Sequence, residues 1–380
     1  MKPERQREIV RRLLALHDAK STELAPEPLR NPAADYTSAE QFALEERHLF
    51  RERPIVACLS VDVAEPGAFV TTDCGGIPIV VVRGDDGELR AFVNICRHRA
   101  SILLDGHGTL NRSIVCGFHG WTYGLDGVLI AQPFSCDGFS SIDPGELSLR
   151  PAAVAERSGL VFVRAATDEP IDLDEVLCGV DDELDDFELS SFFRYDSWVS
   201  SWKCNYKLML DTFLEAYHVF ALHRRSVARY YITAPSTWDP FGPNLRYHSL
   251  QKNFPELKDL PEDQWDLESR GTIEYFIAPN TILSHSVDHL AIYRFLPTDV
   301  DETTAEMTIY TPKAVESDAE HEHYRRTLEL HKRVSGGEDF IQQEGIQRSL
   351  ASGLVKETIF GRNEPAAIHF HNSLRELLKS

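Results

Sequence analysis

The chain has 380 residues, 42% hydrophobic and 26% charged, which is ordinary for a globular protein and enough for two domains with separate cores. Its formal net charge of −21 repels polyanions and so argues against nucleic acid and anionic membranes as partners. No apolar stretch approaches a membrane span, and the start lacks the apolar core of a secretory signal, so a cytoplasmic protein is expected.

Residues 4–17 predict an amphipathic helix, with Ile9, Leu13 and Leu16 on one face. Residues 25–34, rich in Pro and Asn, predict a loop, and residues 37–50 a second helix with Ser38 as its cap. From Pro54 the pattern turns to strands. Ile77 to Arg83 and Leu89 to Asn94 flank the turn Gly84-Asp-Asp-Gly87, and Leu160 to Val163 closes a small all-β domain over residues 54–165. The acids between Asp172 and Glu188 predict a solvated face or linker.

Beyond this, Arg194 to Tyr206 predicts a strand and Lys207 to Leu222 a helix. Strands are expected at 245–250, 272–277, 290–295 and 304–310, making an antiparallel sheet. A charged helix over 318–334 is expected to break at Gly336-Gly337, before another over 339–351. No nucleotide-binding signature appears, so electrons for any redox chemistry must come from another protein.

Cys96-Arg-His98, seventeen residues, then Cys116-Gly-Phe-His119 is the most specific pattern in the chain. Each short loop carries one Cys and one His. Two thiolates on one iron and two imidazoles on the other would hold a [2Fe–2S] cluster in the Rieske manner. A structural zinc site is the alternative donor-set reading, although zinc fingers usually pair Cys with Cys and His with His. Cys58, Cys74, Cys136, Cys178 and Cys204 show no framework spacing and read as reduced thiols.

In the second half, Glu215, His218 and His223 fall within one predicted helix. Glu215 and His218 share a face, whereas residues five apart point about 140° from each other on a straight helix. The two histidines reach one metal only if the helix ends or distorts between them. Spacing alone leaves open two partly buried histidines beside an apolar helix face.

Asn94-Ile-Cys-Arg-His-Arg99 and Cys116-Gly-Phe-His-Gly-Trp-Thr-Tyr123 resemble the Rieske loops of ring-hydroxylating oxygenase α subunits, with Arg97 and Gly117 where the family usually has Pro. Trp202 to His223 resembles the same family's iron-binding segment. The resemblance implies an α+β fold, with an N-terminal all-β Rieske domain (54–165) and a catalytic domain (166–380) whose antiparallel sheet is flanked by helices in the helix-grip manner. Residues 1–53 would pack on the catalytic domain.

It also implies two cofactors, a [2Fe–2S] cluster on Cys96, His98, Cys116 and His119, and a mononuclear Fe(II) on His218, His223 and Asp339. Glu338 and Glu344 are the alternatives to Asp339. Two histidines and one carboxylate leave positions open for O2. Glu215 would bridge a neighbour's His119 to His218 in a head-to-tail homotrimer. An NAD(P)H-dependent reductase or a ferredoxin would supply electrons, with Arg97, Arg99 and Arg112 as a positive rim for an acidic donor.

The expected chemistry is hydroxylation of a small aromatic substrate, with oxidative N- or O-demethylation of a betaine-like or methoxylated one as the alternative. A bare electron-transfer protein is the reading from another class. Thr212, Phe213, Val219, Phe220, Tyr230, Tyr231 and Trp238 are the candidate pocket residues, and Lys207 and Arg246 are either carboxylate clamps or surface residues. His369 and His371 are read as residues at a helix start and not as ligands.

Overall fold

The computed structural model describes residues 1–136 and 138–379, which form two compact units. The fold is α+β, and no helix among the described residues is long and apolar enough to cross a membrane.

One unit spans 46–176 with 188–190. Its seven-stranded sheet runs Ile55–Leu59, Leu160–Arg164, Pro151–Arg157, Leu89–Val93, Pro78–Arg83, Ala68–Asp73, His107–Thr109. A three-stranded sheet, Ser113–Val115, Thr122–Gly124 and Leu129–Ala131, carries the second Cys/His loop. This unit is wider than residues 54–165. The Arg51 side chain donates to Gly75 O, and the Ala166 amide donates to Arg51 O, so the segments flanking the strands join the unit.

The other unit holds 1–45, 177–187 and 191–380. Its antiparallel sheet runs Phe193–Trp202, Glu302–Thr311, Leu290–Asp299, Thr281–His285, Gly271–Ile277, Asn244–Leu250, Thr237–Phe241. The period of two is plain on the strand Glu302–Thr311, whose alternate residues Thr303, Ala305, Met307 and Ile309 are buried. Thr281–His285 and Thr237–Phe241 extend the sheet beyond the strands expected from sequence. Pro240 is tolerated because Thr237–Phe241 is an edge strand, which spares one side of its backbone from pairing. Helix Pro3–Asp18 buries Ile9, Val10, Leu13 and Leu14 against Leu250, Phe254, Leu257 and Leu267.

Several local expectations are corrected. Leu29–Pro32 is a strand paired with Glu357–Phe360, a partner too remote in sequence to be read from a local pattern. Residues 37–50 split into Ala39–Glu45, whose Gln41 amide is capped by Ser38 Oγ at 3.2 Å, and a π-helical turn Glu46–Arg51. The glycine pair does not break the late helix. Asp318–His331 runs through a π-helical stretch, Lys332–Phe340, into Ile341–Ala351. Gly336 serves close packing there, since a Cβ would lie 2.5 Å from the Trp198 ring.

The acidic run is only partly solvated, for Glu183 is buried against Arg246. Lys207 is also buried, in an ion pair with Glu45. Both cations are spent on acids inside the fold and are neither surface residues nor clamps. His369 and His371 lie beyond the start of helix Pro365–Leu377, and His371 Nε2 meets Asp211 Oδ1 at 2.7 Å.

Candidate metal centres

The two Cys/His loops are built alike. Ala100 N donates to Cys96 O and Gly120 N to Cys116 O, both at 3.0 Å, so each loop closes on its own cysteine carbonyl. The closing residue has positive φ in both, +69° at Gly120 and +56° at Ala100. Ala pays about 1–2 kcal/mol for that conformation, which shows how firmly its surroundings impose it.

Cys96 and Cys116 are 3% and 2% exposed, and the His98 and His119 rings lie 4.6 Å apart. His98 stacks on Trp121, with centroids 4.8 Å apart. Its Nδ1 is buried and has no hydrogen-bond partner among the described residues. Burial, His119 and Arg99 hold His98 below the usual histidine range, which favours the neutral imidazole a metal needs. Burial pushes the Cys116 thiol up, but amides of Phe118 and His119 and the Cys96 side chain outweigh it, so the thiol lies below its ordinary value. Tyr123 OH stands 3.3 Å from Cys96 Sγ. The loops thus supply two buried thiols, two neighbouring imidazoles and, on His98, a buried ring nitrogen without a partner, a donor set that fits a [2Fe–2S] cluster. Of the rim arginines, Arg97 donates to Glu146 O, Arg99 lies over the Phe118 ring at 5.1 Å, and Arg112 is exposed.

In the other unit, the helix expected over 207–222 is two helices, Tyr206–Phe213 and Val219–Leu222. Glu215 accounts for the interruption. Its carboxylate accepts from the amides of Tyr217 and His218, the latter at 3.1 Å, and so holds the turn between the two pieces. The resulting bend turns His218 and His223 toward each other, with Nε2 atoms 3.2 Å apart.

Asp339 joins them from the π-helical stretch. Its Oδ1 lies 3.0 Å from His223 Nε2 and 3.8 Å from His218 Nε2. Gln343 Nε2 donates to Thr212 Oγ1 at 2.7 Å, and Gln347 Oε1 accepts from Asn205 N at 3.2 Å, so the late helix is tied to Tyr206–Phe213, the helix that leads into the two histidines. Phe340 adds ring contacts with Trp198, Trp202, Phe213 and Phe295.

Protonation shows what this trio can hold. His218 Nδ1 meets Glu215 Oε1 at 2.5 Å, and His223 Nδ1 meets Glu338 Oε2 at 2.6 Å. A carboxylate accepts only, so both Nδ1 atoms carry the hydrogen and both Nε2 atoms are left with lone pairs. Two lone pairs and the buried, unpartnered Asp339 Oδ1 then converge on one point. A divalent cation satisfies all three donors at once. Burial pushes the Asp339 carboxyl up, while His223, through Asp339 and Glu338, is raised despite its own burial.

Glu338 is thus placed to support His223, not among the three convergent donors, and Glu344 Oε1 is engaged elsewhere, accepting from Lys203 N at 2.9 Å. Nothing in the local sequence separates the support from the ligand in Glu338-Asp339, because the distinction lies in which way a π-helical turn aims each side chain.

A cavity of about 260 Å³ opens beside the trio. Thr212, Phe213, Val219 and Tyr231 line it as expected, whereas Phe220, Tyr230 and Trp238 do not. Phe220 and Tyr230 are exposed, and Trp238 packs on His369. Tyr293 and Glu274, which no motif marked, line it as well.

The family model for the ring hydroxylating alpha subunit (catalytic domain) matches residues 189–380, and the model for the Rieske [2Fe-2S] domain matches residues 53–137. The chain belongs to the ring-hydroxylating oxygenase α-subunit family. It is the terminal oxygenase component of a Rieske non-haem iron system, with a [2Fe–2S] cluster and a mononuclear iron, and it draws electrons from a reductase or ferredoxin.

Among relatives, the oxygenase is 29% identical to the carnitine monooxygenase oxygenase subunit of Acinetobacter pittii (strain PHEA-2), covering 84% of this chain and 85% of that one. It is 27% identical to the chloroplastic choline monooxygenase of Beta vulgaris, covering 94% and 79%. A solved quaternary ammonium Rieske monooxygenase, described in terms of carnitine oxidation and inter-subunit electron transfer, shares the fold with a TM-score of 0.78 at 22% identity, covering 92% and 96%.

Proposed function

We propose that this oxygenase is a monooxygenase of small quaternary ammonium compounds, the demethylase-type alternative to aromatic hydroxylation. The observation that carries the proposal is the charge of the cavity. Among the described residues no Lys or Arg lines it, while Glu215, Glu274 and Asp339 do. Glu274 Oε2 is buried without a hydrogen-bond partner, and burial and Asp339 push this carboxyl up to about 8. With the iron offsetting Asp339, Glu274 is the acid left over: protonated in the empty cavity, it is drawn into its ionised form by a permanently charged ammonium, whereas an aromatic acid meets no cationic side chain there. Phe213, Tyr231 and Tyr293 add rings for cation–π contact. The relatives named for carnitine and choline support the same class.

His218, His223 and Asp339 would hold the iron, and Cys96, His98, Cys116 and His119 the cluster. When bound, the iron supplies O2 reduction beside the substrate. The protein's own part is to place the cation next to that centre and to fix the ligand tautomers through Glu215 and Glu338. The electron route runs from His119 of one subunit through Glu215 to His218 of the next, in a homotrimer. The His119 ring is exposed and free to meet a neighbour, and Glu215 already holds His218.

Hydroxylation at a carbon attached to the cationic nitrogen, or at choline's hydroxyl-bearing carbon, gives a carbinol that collapses to an aldehyde. An aldehyde is therefore the diagnostic product. Calorimetry on the iron-loaded, oxygen-free protein tests the substrate class. Choline should bind at least tenfold more tightly than its neutral carbon isostere dimethylbutanol, and Glu274→Gln should remove the difference. Equal binding of the two by the unaltered protein would contradict the reading.

A further inference from the structure

A file of hydrogen-bonded titratable groups runs along the cavity wall, where Tyr293, His331 and His289 all line the space, and out to the surface of the catalytic unit. Tyr293, 1% exposed and on the cavity wall, places its OH 2.6 Å from His331 Nδ1. His331 Nε2 lies 2.9 Å from His289 Nε2. His289 Nδ1 lies 2.8 Å from Asp288 Oδ1, and Asp288 Oδ2 lies 2.5 Å from His323 Nε2. The His323 side chain is 54% exposed. Three elements contribute: strand Leu290–Asp299, the residues just before it, and helix Asp318–His331. None of these residues belongs to the candidate ligand sets.

We propose that His323, Asp288, His289, His331 and Tyr293 form a proton conduit that feeds the oxygenation cavity. Monooxygenation consumes O2, two electrons and two protons, and releases one oxygen atom as water. The electrons arrive through the metal centres, but the protons need a route of their own, and this inference requires only oxygenase chemistry, whatever the substrate.

The alignment permits both polarities of such a file. In the resting polarity all three rings are neutral. His323 and His289 donate to Asp288, His331 Nε2–H donates to His289 Nε2, and Tyr293 O–H donates to His331 Nδ1. In the loaded polarity His289 is an imidazolium held by the Asp288 carboxylate. Its Nε2–H donates to His331 Nε2, and His331 Nδ1–H donates to the Tyr293 oxygen. Discharge moves the Tyr293 proton to an acceptor in the cavity, the His331 Nδ1 proton to Tyr293, and the His289 Nε2 proton to His331 Nε2. One proton has entered the cavity and the resting polarity is restored. His323 takes the replacement from solvent and passes it to Asp288. The His289 ring flips, takes that proton at its bare nitrogen and turns its other N–H to His331; the His331 ring and the Tyr293 hydroxyl turn with it, so that His331 accepts from His289 and donates to Tyr293, and a turn of His323 returns an N–H to Asp288.

Other charged groups face the file. Asp339 and Glu274 face Tyr293, His285 faces His289, and Tyr324 and Glu320 stand beside the Asp288 end. Asp288 is drawn down to about 2, first by the His289 hydrogen bond, and His331 is pushed down to about 3 by burial and by His289. The carboxylate therefore rests ionised as an acceptor and holds a proton only in passing, as His331 does its charge.

The test combines two variants with a readout that needs no iron. His323→Gln lies at the exposed end, and Asp288→Asn removes the acceptor in the middle. In metal-free protein, nitrogen-15 NMR follows exchange of the His331 ring N–H with deuterated water. Exchange should slow at least tenfold in both variants. In the loaded enzyme the product formed per O2 should fall in both. Free imidazole in the buffer should restore His323→Gln but not Asp288→Asn, and the solvent isotope effect on turnover should grow in the unrescued variants. Unchanged exchange together with an unchanged isotope effect in His323→Gln would overturn the conduit, whatever becomes of Asp288→Asn.

Discussion

Replacing Glu338 by Ala isolates what the protein does for the second histidine of the proposed iron site. The carboxylate accepts from His223 Nδ1 at 2.6 Å and from Ser226 Oγ at 2.7 Å. Hydrogen bonds to a charged group are worth about 1.5–3 kcal/mol, and the 22% exposure of the Glu338 side chain lets water recover part of that. Without the carboxylate, the His223 ring can move its hydrogen to Nε2, which then cannot bind a metal. Ferrous affinity should therefore fall about 10- to 100-fold, or roughly 1.4–2.7 kcal/mol. Anaerobic competition against a chromophoric chelator, on protein with its cluster intact, measures this directly. Glu338→Gln keeps a carbonyl acceptor and should fall between the two. Ser226→Ala removes only the other partner and is the control. Unchanged ferrous affinity in Glu338→Ala, or an equal loss in Ser226→Ala, would refute the reasoning.

Glu215→Ala should retain both metals and a reducible cluster yet lose product formation by on the order of a hundredfold, and normal turnover would refute the proposed electron route. Gly336→Ala drives a methyl into the Trp198 ring, so it should cost about 1–3 kcal/mol and lower both the melting temperature and the iron content, and a wild-type melting curve would show the π-helical stretch is not held by that contact. Acid should destabilise the metal-free protein below pH 6.5. Burial holds His331 at about 3 and His285 at about 4, and pushes His248 far down, against 6.5 in the unfolded chain, so unfolding takes up protons throughout that window. Each histidine removes about 2 kcal/mol by pH 5, and Glu274, raised to about 8, has the opposite sign and offsets about one of them. Urea midpoints at pH 7 and pH 5 measure the net loss, and equal midpoints would contradict it.

The sequence disclosed the donors better than their setting. Cys96, His98, Cys116 and His119 were legible because both loops are local and their spacing is specific. His218 and His223 were legible as a pair whose convergence demanded a distorted helix, and the break at the turn that Glu215 holds is that distortion. Glu338 was hidden because its neighbour in sequence offers the same chemistry and only backbone geometry sorts them. The cavity's charge was hidden for another reason. Lys207 and Arg246 looked available until their long-range partners Glu45 and Glu183 were seen, and Glu274 lies on a strand with no motif around it. Pairing across the chain, as between Leu29–Pro32 and Glu357–Phe360, leaves no local periodicity to read.

Substrate-stimulated O2 uptake by the iron-loaded oxygenase with a surrogate reductase decides which class of substrate the cavity serves. One pool contains choline, glycine betaine and carnitine, the other aromatic acids, and aldehyde is assayed in both. With the ammonium pool, O2 uptake should be matched by aldehyde, and Asp339→Ala, which removes the carboxylate donor, should abolish both. Uptake with the aromatic pool alone, without aldehyde, would contradict the proposed substrate class.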